Sequence, residues 1–163
     1  MISIIVAIAA DYAIGRQGSL LCHLPDDLKH FKAITSTHPV LMGERTFLSL
    51  PTRPLPHRRN IVLTDQEEKT FEGAEAVYSL DEALALLRQA DDECFIIGGG
   101  MVYRQFMALA DKLYITHIHH TFDEADTFFP SIEPSVWHCI SQEHHDSDEK
   151  NPYPYTFAEY IRK

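Results

Sequence analysis

The sequence predicts an α/β fold of three layers, in which about four helices flank a central, mixed and mostly parallel eight-stranded sheet. Over the first two thirds of the chain, short apolar runs alternate with helical patterns, as in parallel strands joined by helices. The last third is rich in strand patterns, which predicts an antiparallel addition at the C-terminal end. With 163 residues, of which 45% are hydrophobic and 23% charged, the chain is long enough for the core of one domain.

The strands are predicted from apolar runs bounded by glycine, proline or polar residues. The first run is almost continuously apolar, as expected for a central strand covered on both faces. The run at 94–97 leads directly into three consecutive glycines, Gly98, Gly99 and Gly100. The predicted strands are 2–9, 39–43, 60–64, 75–78, 94–97, 112–119, 137–143 and 153–161.

The helices are predicted from signals at their starts. Pro25 suits the first helical position, and Asp26 and Asp27 suit the first turn, where the helix dipole favours negative charge. The segment 79–82, Ser-Leu-Asp-Glu, is a capping box. The predicted helices cover 25–34, 45–50, 79–89 and 101–109, and the aperiodic segment 11–24, with Gly15 and Gly18, is predicted to be a loop.

The charge of the chain limits its partners. There are 14 Lys and Arg against 24 Asp and Glu, a net charge of −10, which disfavours binding to nucleic acid or to an anionic membrane surface. The apolar N-terminal run is too short to span a membrane and lacks a basic region before it. The separated Cys22, Cys94 and Cys139 are typical of reduced thiols, so we expect a cytoplasmic location.

The three glycines are a candidate phosphate-binding turn, because glycine allows close approach of the backbone and a helix start attracts anions. Their spacing departs from the usual dinucleotide motif, since Tyr103 stands where the third glycine of that motif would be. A strained turn at a sheet edge therefore remains the alternative interpretation.

Asp27 is a candidate ligand-binding carboxylate. It lies at a helix start among Leu24, Leu28 and Phe31, although helix-dipole stabilisation, which Asp26 could equally provide, is an alternative role. On the inward face its pKa would be raised, and it could hold the guanidine-like edge of a heterocycle through two hydrogen bonds.

The segment 53–59, Arg-Pro-Leu-Pro-His-Arg-Arg, concentrates basic residues in an acidic chain. Its prolines stiffen it, and arginine suits carboxylates and phosphates, although a solvated loop is the alternative. We predict no metal site, because the histidines lack cysteine or carboxylate partners at metal-binding spacing. These histidines are His117, His119, His120, His144 and His145.

Taken together, these segments resemble the bacterial dihydrofolate reductase family over essentially the whole chain. The resemblance is carried by 5–9 with 14–15, 24–32, 39–47, 53–60, 96–103, 113–118 and 126–130, in this order. It implies one domain, 1–163, with an adenosine-binding subdomain around 39–91. It also implies a monomeric cytoplasmic enzyme and antifolate target that reduces 7,8-dihydrofolate to tetrahydrofolate with NADPH, for one-carbon and thymidylate metabolism.

The resemblance also implies roles for individual residues. Asp27 would anchor the pterin with support from the Thr116 hydroxyl, and Arg58 would bind the α-carboxylate of the substrate's glutamate. The catalytic set is Asp27, Thr116, Leu20 and Cys22, with no nucleophilic role expected for Cys22. The substrate set is Ile5, Ala7, Asp27, Leu28, Phe31, Lys32, Leu50, Arg53, Leu55, Arg58, Ile97 and Thr116. The cofactor set is Ala7, Ile14, Gly15, Gly18, Leu20, Gly43, Arg45, Thr46, Leu63, Thr64, Ile97, Gly98, Gly99, Gly100, Met101, Val102 and Tyr103.

Five positions depart from the family pattern. Cys22 replaces a tryptophan of the lid segment 9–24, which predicts more room beside the substrate. Glu44 and Met101 replace basic residues near the NADPH 2′-phosphate, from which we hypothesise that NADH is tolerated. Ala125 replaces a glycine, and Pro152 replaces a serine, which predicts a lid that stays closed through turnover.

The resemblance leaves rival interpretations to be tested. The nearest is a pterin or flavin-precursor reductase of the same superfamily. A non-catalytic nucleotide-binding regulator and a metal-binding module are the rivals from other classes.

Overall fold

The computed structural model describes residues 1–15 and 21–163, and its main feature is one eight-stranded sheet. The strands are β1 Ile2–Ile8, β2 Ala13–Gly15, β3 Val40–Gly43, β4 Asn60–Leu63, β5 Glu75–Val77, β6 Cys94–Gly98, β7 Lys112–Ile118, β8 Thr127–Phe128, β9 Trp137–His145 and β10 Tyr155–Arg162. The helices are α1 Pro25–Thr35, α2 Glu44–Ser49, α3 Leu80–Gln89 and α4 Gly100–Phe106.

The order of strands in the main sheet is β5-β4-β3-β6-β1-β7-β10-β9. The strands from β5 to β7 pair in parallel. β10 pairs antiparallel with both β7 and β9. The predicted mostly parallel sheet with an antiparallel C-terminal addition is therefore confirmed.

Side chains alternate across β1, so its apolar run supplies both faces of the sheet. Ile4 and Ile8 belong to one core cluster, to which α3 and α4 contribute. Ile5 belongs to a second cluster, with Phe47 of α2 and partly buried residues of α1. Helices therefore cover both faces, which confirms the three predicted layers with β1 at their centre.

The sequence signals at the helix starts are also found in the structure. Pro25 begins α1, with Asp26 and Asp27 in its first turn. In the capping box of α3, the Ser79 hydroxyl accepts a 3.1 Å hydrogen bond from the Glu82 amide. The Glu82 carboxylate accepts one of 3.1 Å from the amide of Tyr78. Within the described residues, no helix is both long and apolar enough to cross a membrane.

Some boundaries were predicted wrongly. Within the predicted loop 11–24, Ala13–Gly15 forms β2 and pairs with β8, more than a hundred residues away in sequence. The helix predicted to end at 109 ends at Phe106, and the strand predicted to end at 143 runs to His145. That strand continues because His144 and His145 still pair with β10.

Candidate active site

The first part of the site is a carboxylate held over the middle of the sheet. Asp27 lies in the first turn of α1, and the Thr116 hydroxyl donates a 2.6 Å hydrogen bond to its Oδ1. Thr116 is on β7 and pairs with Ala7 of β1. The neighbouring Asp26 accepts a 3.0 Å hydrogen bond from the Tyr155 hydroxyl instead. The two adjacent acids therefore differ in environment, and Asp27 is the one beside β1.

Burial is the largest influence on the Asp27 carboxylate, and it raises the pKa of this group above its ordinary value. The Thr116 hydrogen bond and the nearby charge of His30 oppose this effect by stabilising the ionised form. The direction of the shift is the one expected from the sequence. A raised pKa in a cleft is typical of carboxylates that bind or polarise a ligand.

The second part of the site is the glycine turn, residues 98–100, at the end of β6. The Gly98–Gly99 peptide is cis, and Gly98 has a φ of +132°, a conformation that side chains disfavour. A methyl group on Gly100 would lie 2.6 Å from Thr127 Cγ2, and one on Gly99 would lie 3.3 Å from Thr46 Oγ1. The turn therefore combines close-packed, side-chain-free backbone with the Thr46 hydroxyl, a donor set that suits phosphate oxygens.

The two parts lie at the same edge of the sheet. β6 and β7 both pair in parallel with β1, so their carboxyl ends meet on either side of it. Two strand spacings separate them, about 10 Å, which is a distance that one cleft can span. The Tyr103 hydroxyl adds a 3.0 Å hydrogen bond to the carbonyl oxygen of Ile5 in β1. Burial raises the pKa of Tyr103, so this hydroxyl stays protonated.

Apolar side chains also pack together near the two parts of the site. The predicted substrate residues that share the second core cluster are Ile5, Phe31, Leu50, Leu55 and Ile97, which we call the apolar wall. Leu28 lies apart from this cluster and is 45% exposed. An exposed leucine beside a partly buried carboxylate is suited to covering an aromatic ligand.

The basic segment 53–59 divides into arginines with different partners. Arg58 donates hydrogen bonds of 2.9 Å to the Pro56 carbonyl and to the Thr35 hydroxyl. Burial lowers the pKa of Arg58 from its very high ordinary value. Arg59 is paired with Glu75, and Arg53 donates to the Leu48 carbonyl. Arg58 is therefore the arginine of this segment that is fixed against α1.

Cys22 packs with Ala7 in a cluster around Leu24, Ile118 and Tyr155. Burial and the negative charge of Asp27 raise the pKa of its thiol to about 11. The thiol is therefore protonated at neutral pH, in agreement with the expectation that it is not a nucleophile.

The remaining predicted cofactor residues lie around the glycine turn and at neighbouring strand ends. A methyl group on Gly43 would meet Val102 at 3.2 Å, and one on Gly100 would lie 3.9 Å from Ile14. Gly15 is in β2, Leu63 ends β4, and Thr64 is buried directly after β4. Arg45 of α2 and Met101 of α4 are both exposed, Met101 to 67%. Gly18 and Leu20 lie outside the described residues, as do residues 16–20 of the predicted lid.

The histidines considered as metal ligands have local partners instead of a common centre. His117 lies 2.7 Å from the Tyr160 hydroxyl, and His119 and His144 approach the Thr156 hydroxyl at 2.8 and 3.1 Å. Across residues 1–15 and 21–163, no group of three or more His, Cys, Asp or Glu side chains is placed to hold a metal ion.

Two polar residues near the site were missed by the sequence analysis. Thr35 is fully buried and receives the Arg58 hydrogen bond, while its own hydroxyl donates 2.8 Å to the Phe31 carbonyl. Lys69 pairs with Glu44 at the start of α2. Neither contact has a local sequence signal, because Arg58 and Glu44 each lie more than twenty residues away from their partners.

A partly buried carboxylate and a glycine turn on either side of one central strand define a class of protein. They are suited to a reductase that brings a nicotinamide dinucleotide beside a carboxylate-bound heterocycle.

Comparison with known proteins identifies the family within this class. The chain matches the family model described as dihydrofolate reductase over residues 1–162. It is 45% identical over 163 residues to the dihydrofolate reductase of Bacillus subtilis, covering 100% of this chain and 95% of that protein. It is 42% identical to the type 3 enzyme of Salmonella typhimurium, covering 100% of this chain and 99% of that one.

A solved structure of dihydrofolate reductase from Enterococcus faecalis, complexed with NADP(H) and RAB-propyl, superposes with a TM-score of 0.93. It shares 39% identity and covers 100% of this chain and 96% of that chain. The chain belongs to the dihydrofolate reductase family. It is an oxidoreductase that reduces dihydrofolate with NADPH, which confirms the activity and cofactor implied by the resemblance.

Proposed function

We propose that Asp27 is the group that binds and orients the pterin ring of dihydrofolate, and that Thr116 fixes this carboxylate. The observation that carries the proposal is the 2.6 Å hydrogen bond from Thr116 to Asp27, with one strand, β1, between Thr116 and the glycine turn. Ionised Asp27 can accept two hydrogen bonds from the amino-pyrimidine edge of a pterin, which sets the ring across the sheet edge. The apolar wall and Leu28 then cover the rest of the substrate.

The glycine turn and its neighbours are proposed to hold the dinucleotide. Gly98, Gly99 and Gly100 would present backbone to the pyrophosphate, and Thr46 would add a hydroxyl. The close packing of Thr127 against Gly100 leaves no room for a side chain there, so the backbone of the turn carries no side chain of its own at this point. Ala7 and Ile14 would meet the nicotinamide end, next to Tyr103. When bound here, NADPH supplies the hydride.

The protein's part in the reaction is alignment and electrostatics. The carbon that receives hydride becomes a good electrophile only when the adjacent pterin nitrogen, N5, is protonated. Asp27, bound to the opposite edge of the ring, polarises the ring and does not itself pass a proton to N5. We propose that the proton reaches N5 from water. Cys22 is smaller than the tryptophan that the family resemblance implies at this position, and we propose that it gives room for that water.

Arg58 is proposed to bind the α-carboxylate of the substrate's glutamate. Its guanidinium is held by Thr35 and by the Pro56 carbonyl, so it is oriented before the substrate arrives. Arginine binds a carboxylate through two parallel hydrogen bonds, which suits this role. Lys32 and Arg53, both exposed, would add charge nearby.

The wider biology forms part of the same proposal. We propose a monomeric cytoplasmic enzyme of one domain, with residues around 39–91 binding the adenosine. Its partners would be small molecules, namely its two substrates and antifolate inhibitors that use the same Asp27 contact. The net charge of −10 supports the exclusion of nucleic acid. The three free cysteines support a reducing compartment.

The experiment compares Asp27→Asn with Asp26→Asn, a matched control that makes the same change one residue away. Each hydrogen bond to a charged group contributes about 1.5–3 kcal/mol. Losing two should lower kcat/KM by roughly 10²- to 10⁴-fold. Asp26→Asn should stay within about threefold of wild type, since Asp26 faces Tyr155. The assay follows loss of reduced-nicotinamide absorbance with dihydrofolate. Equal effects of the two variants would refute the assignment.

A further inference from the structure

Glu44 lies at the sheet edge that carries the glycine turn. It is the first residue of α2 and directly follows the end of β3. In β3, Met42 pairs with Gly98 of β6 and Gly43 pairs with Leu63 of β4. Glu44 therefore stands between the glycine turn on one side and the end of β4 on the other.

Glu44 is not an isolated charge, because Lys69 Nζ pairs with its carboxylate Oε1. The Lys69 side chain is 41% exposed and that of Glu44 21% exposed. The Tyr78 hydroxyl donates a 2.9 Å hydrogen bond to the Lys69 carbonyl, which fixes the backbone below this side chain. In the sequence, Lys69 is the only lysine or arginine between Arg59 and Arg88.

An acidic residue at the end of the neighbouring strand has a known physical consequence in dinucleotide sites. The carboxylate of such a residue accepts a hydrogen bond from a free ribose 2′-hydroxyl, as in NADH. The same carboxylate repels the 2′-phosphate of NADPH, so binding of that phosphate requires a cation nearby. In this protein both the carboxylate, of Glu44, and a cation, the ammonium group of Lys69, are present, and they are paired with each other. Lys69 has a long flexible stem, so its ammonium group can change partner while its backbone stays in place.

We propose that the Glu44–Lys69 pair sets the preference between NADPH and NADH: Lys69 leaves Glu44 to bind the 2′-phosphate of NADPH, and Glu44 accepts the 2′-hydroxyl of NADH. This rests on the proposed placement of the dinucleotide at the glycine turn. Because Glu44 competes with the phosphate for Lys69, the preference for NADPH is smaller than 10³-fold, or roughly 4 kcal/mol. Arg45, exposed and next in sequence, is the competing candidate for the phosphate cation.

The test measures dissociation constants for NADP⁺ and NAD⁺ by titration calorimetry in the absence of folate. Lys69→Met should weaken NADP⁺ binding at least tenfold and leave NAD⁺ within twofold of wild type. Glu44→Gln should tighten NADP⁺ and weaken NAD⁺. Lys112→Met is the matched control, because Lys112 pairs with Glu159 at 2.8 Å near the opposite end of the parallel strands, and it should change neither.

The proposal is overturned if Lys69→Met weakens both dinucleotides equally or neither. It is also overturned if Arg45→Gln, and not Lys69→Met, removes the selective affinity. In these cases wild-type protein still binds dinucleotide and the proposed function stands. If wild-type protein binds neither dinucleotide, the placement at the glycine turn fails as well. Near-ultraviolet and far-ultraviolet circular dichroism of each variant verifies that folding is unchanged.

Discussion

The hydrogen bond from Thr116 to Asp27 can be tested by removing the hydroxyl in Thr116→Val. The bond is 2.6 Å long, partly buried and accepted by a carboxylate, so its loss should destabilise the bound state by about 1.5–3 kcal/mol. We therefore expect kcat/KM for dihydrofolate to fall roughly 10- to 100-fold. If Thr116 acts only through Asp27, the same substitution on an Asp27→Asn background should cause less than about a twofold further loss.

Thr116→Val should also shift the pH dependence of inhibitor binding in a defined direction. The Thr116 hydrogen bond lowers the pKa of Asp27, so Thr116→Val raises that pKa further above its ordinary value. A protonated 2,4-diaminopyrimidine needs ionised Asp27, and its affinity declines as pH falls through the Asp27 pKa. In Thr116→Val this decline should occur at higher pH. Equal losses of kcat/KM on both backgrounds, or an unmoved affinity profile, would refute the reasoning.

Three further substitutions test single contacts. The pKa of Asp27 is raised on folding, which means that burying its negative charge destabilises the folded protein at neutral pH. Asp27→Asn removes that charge and should raise the melting temperature by about 2–4 °C for each kcal/mol of this destabilisation. That gain should vanish at pH values below the unfolded-state pKa of Asp27, near 3.8, because the carboxyl group is then neutral in both the folded and the unfolded protein. Thermal unfolding measured as a function of pH checks this. Thr35→Val should raise KM about tenfold with kcat unchanged, because it removes one of the two hydrogen bonds that orient Arg58. Thr35→Ser should restore KM, and a pterin without glutamate should be insensitive to both changes. Gly100→Ala should weaken NADP⁺ binding in calorimetry about tenfold or more, because its methyl group meets Thr127 at 2.6 Å; unchanged affinity would argue against this placement of the dinucleotide.

Local sequence patterns were sufficient for much of the fold. The apolar run of β1, the proline start of α1 and the capping box of α3 are encoded within a few residues each, and all three are found. The glycine turn could be placed because a buried strand leads directly into it. The raised pKa of Asp27 followed from its place among apolar residues at a helix start.

Features that depend on distant partners could not be predicted in this way. The three residues of β2 are too few to show an alternating pattern, and their partner strand β8 is far along the chain. The Thr35–Arg58 hydrogen bond and the Glu44–Lys69 pair each join separate elements, so composition gives no sign of them. The placement of Glu44 near the 2′-phosphate of the dinucleotide stays a prediction, and the lysine that pairs with Glu44 was not foreseen.

The acidity of the chain shapes how it binds its two anionic substrates. A net charge of −10 repels both at long range, so attraction must come from single cations close to each ligand. Arg58 and Lys69 are the two cations proposed for this role, and each has a partner within the protein, Thr35 or Glu44. Physiological salt screens charges beyond about 8 Å, which removes repulsion by distant acids but leaves direct contacts largely intact. Binding should therefore depend more weakly on salt than the ligand charges alone imply, because screening acts on both the repulsion and the attraction.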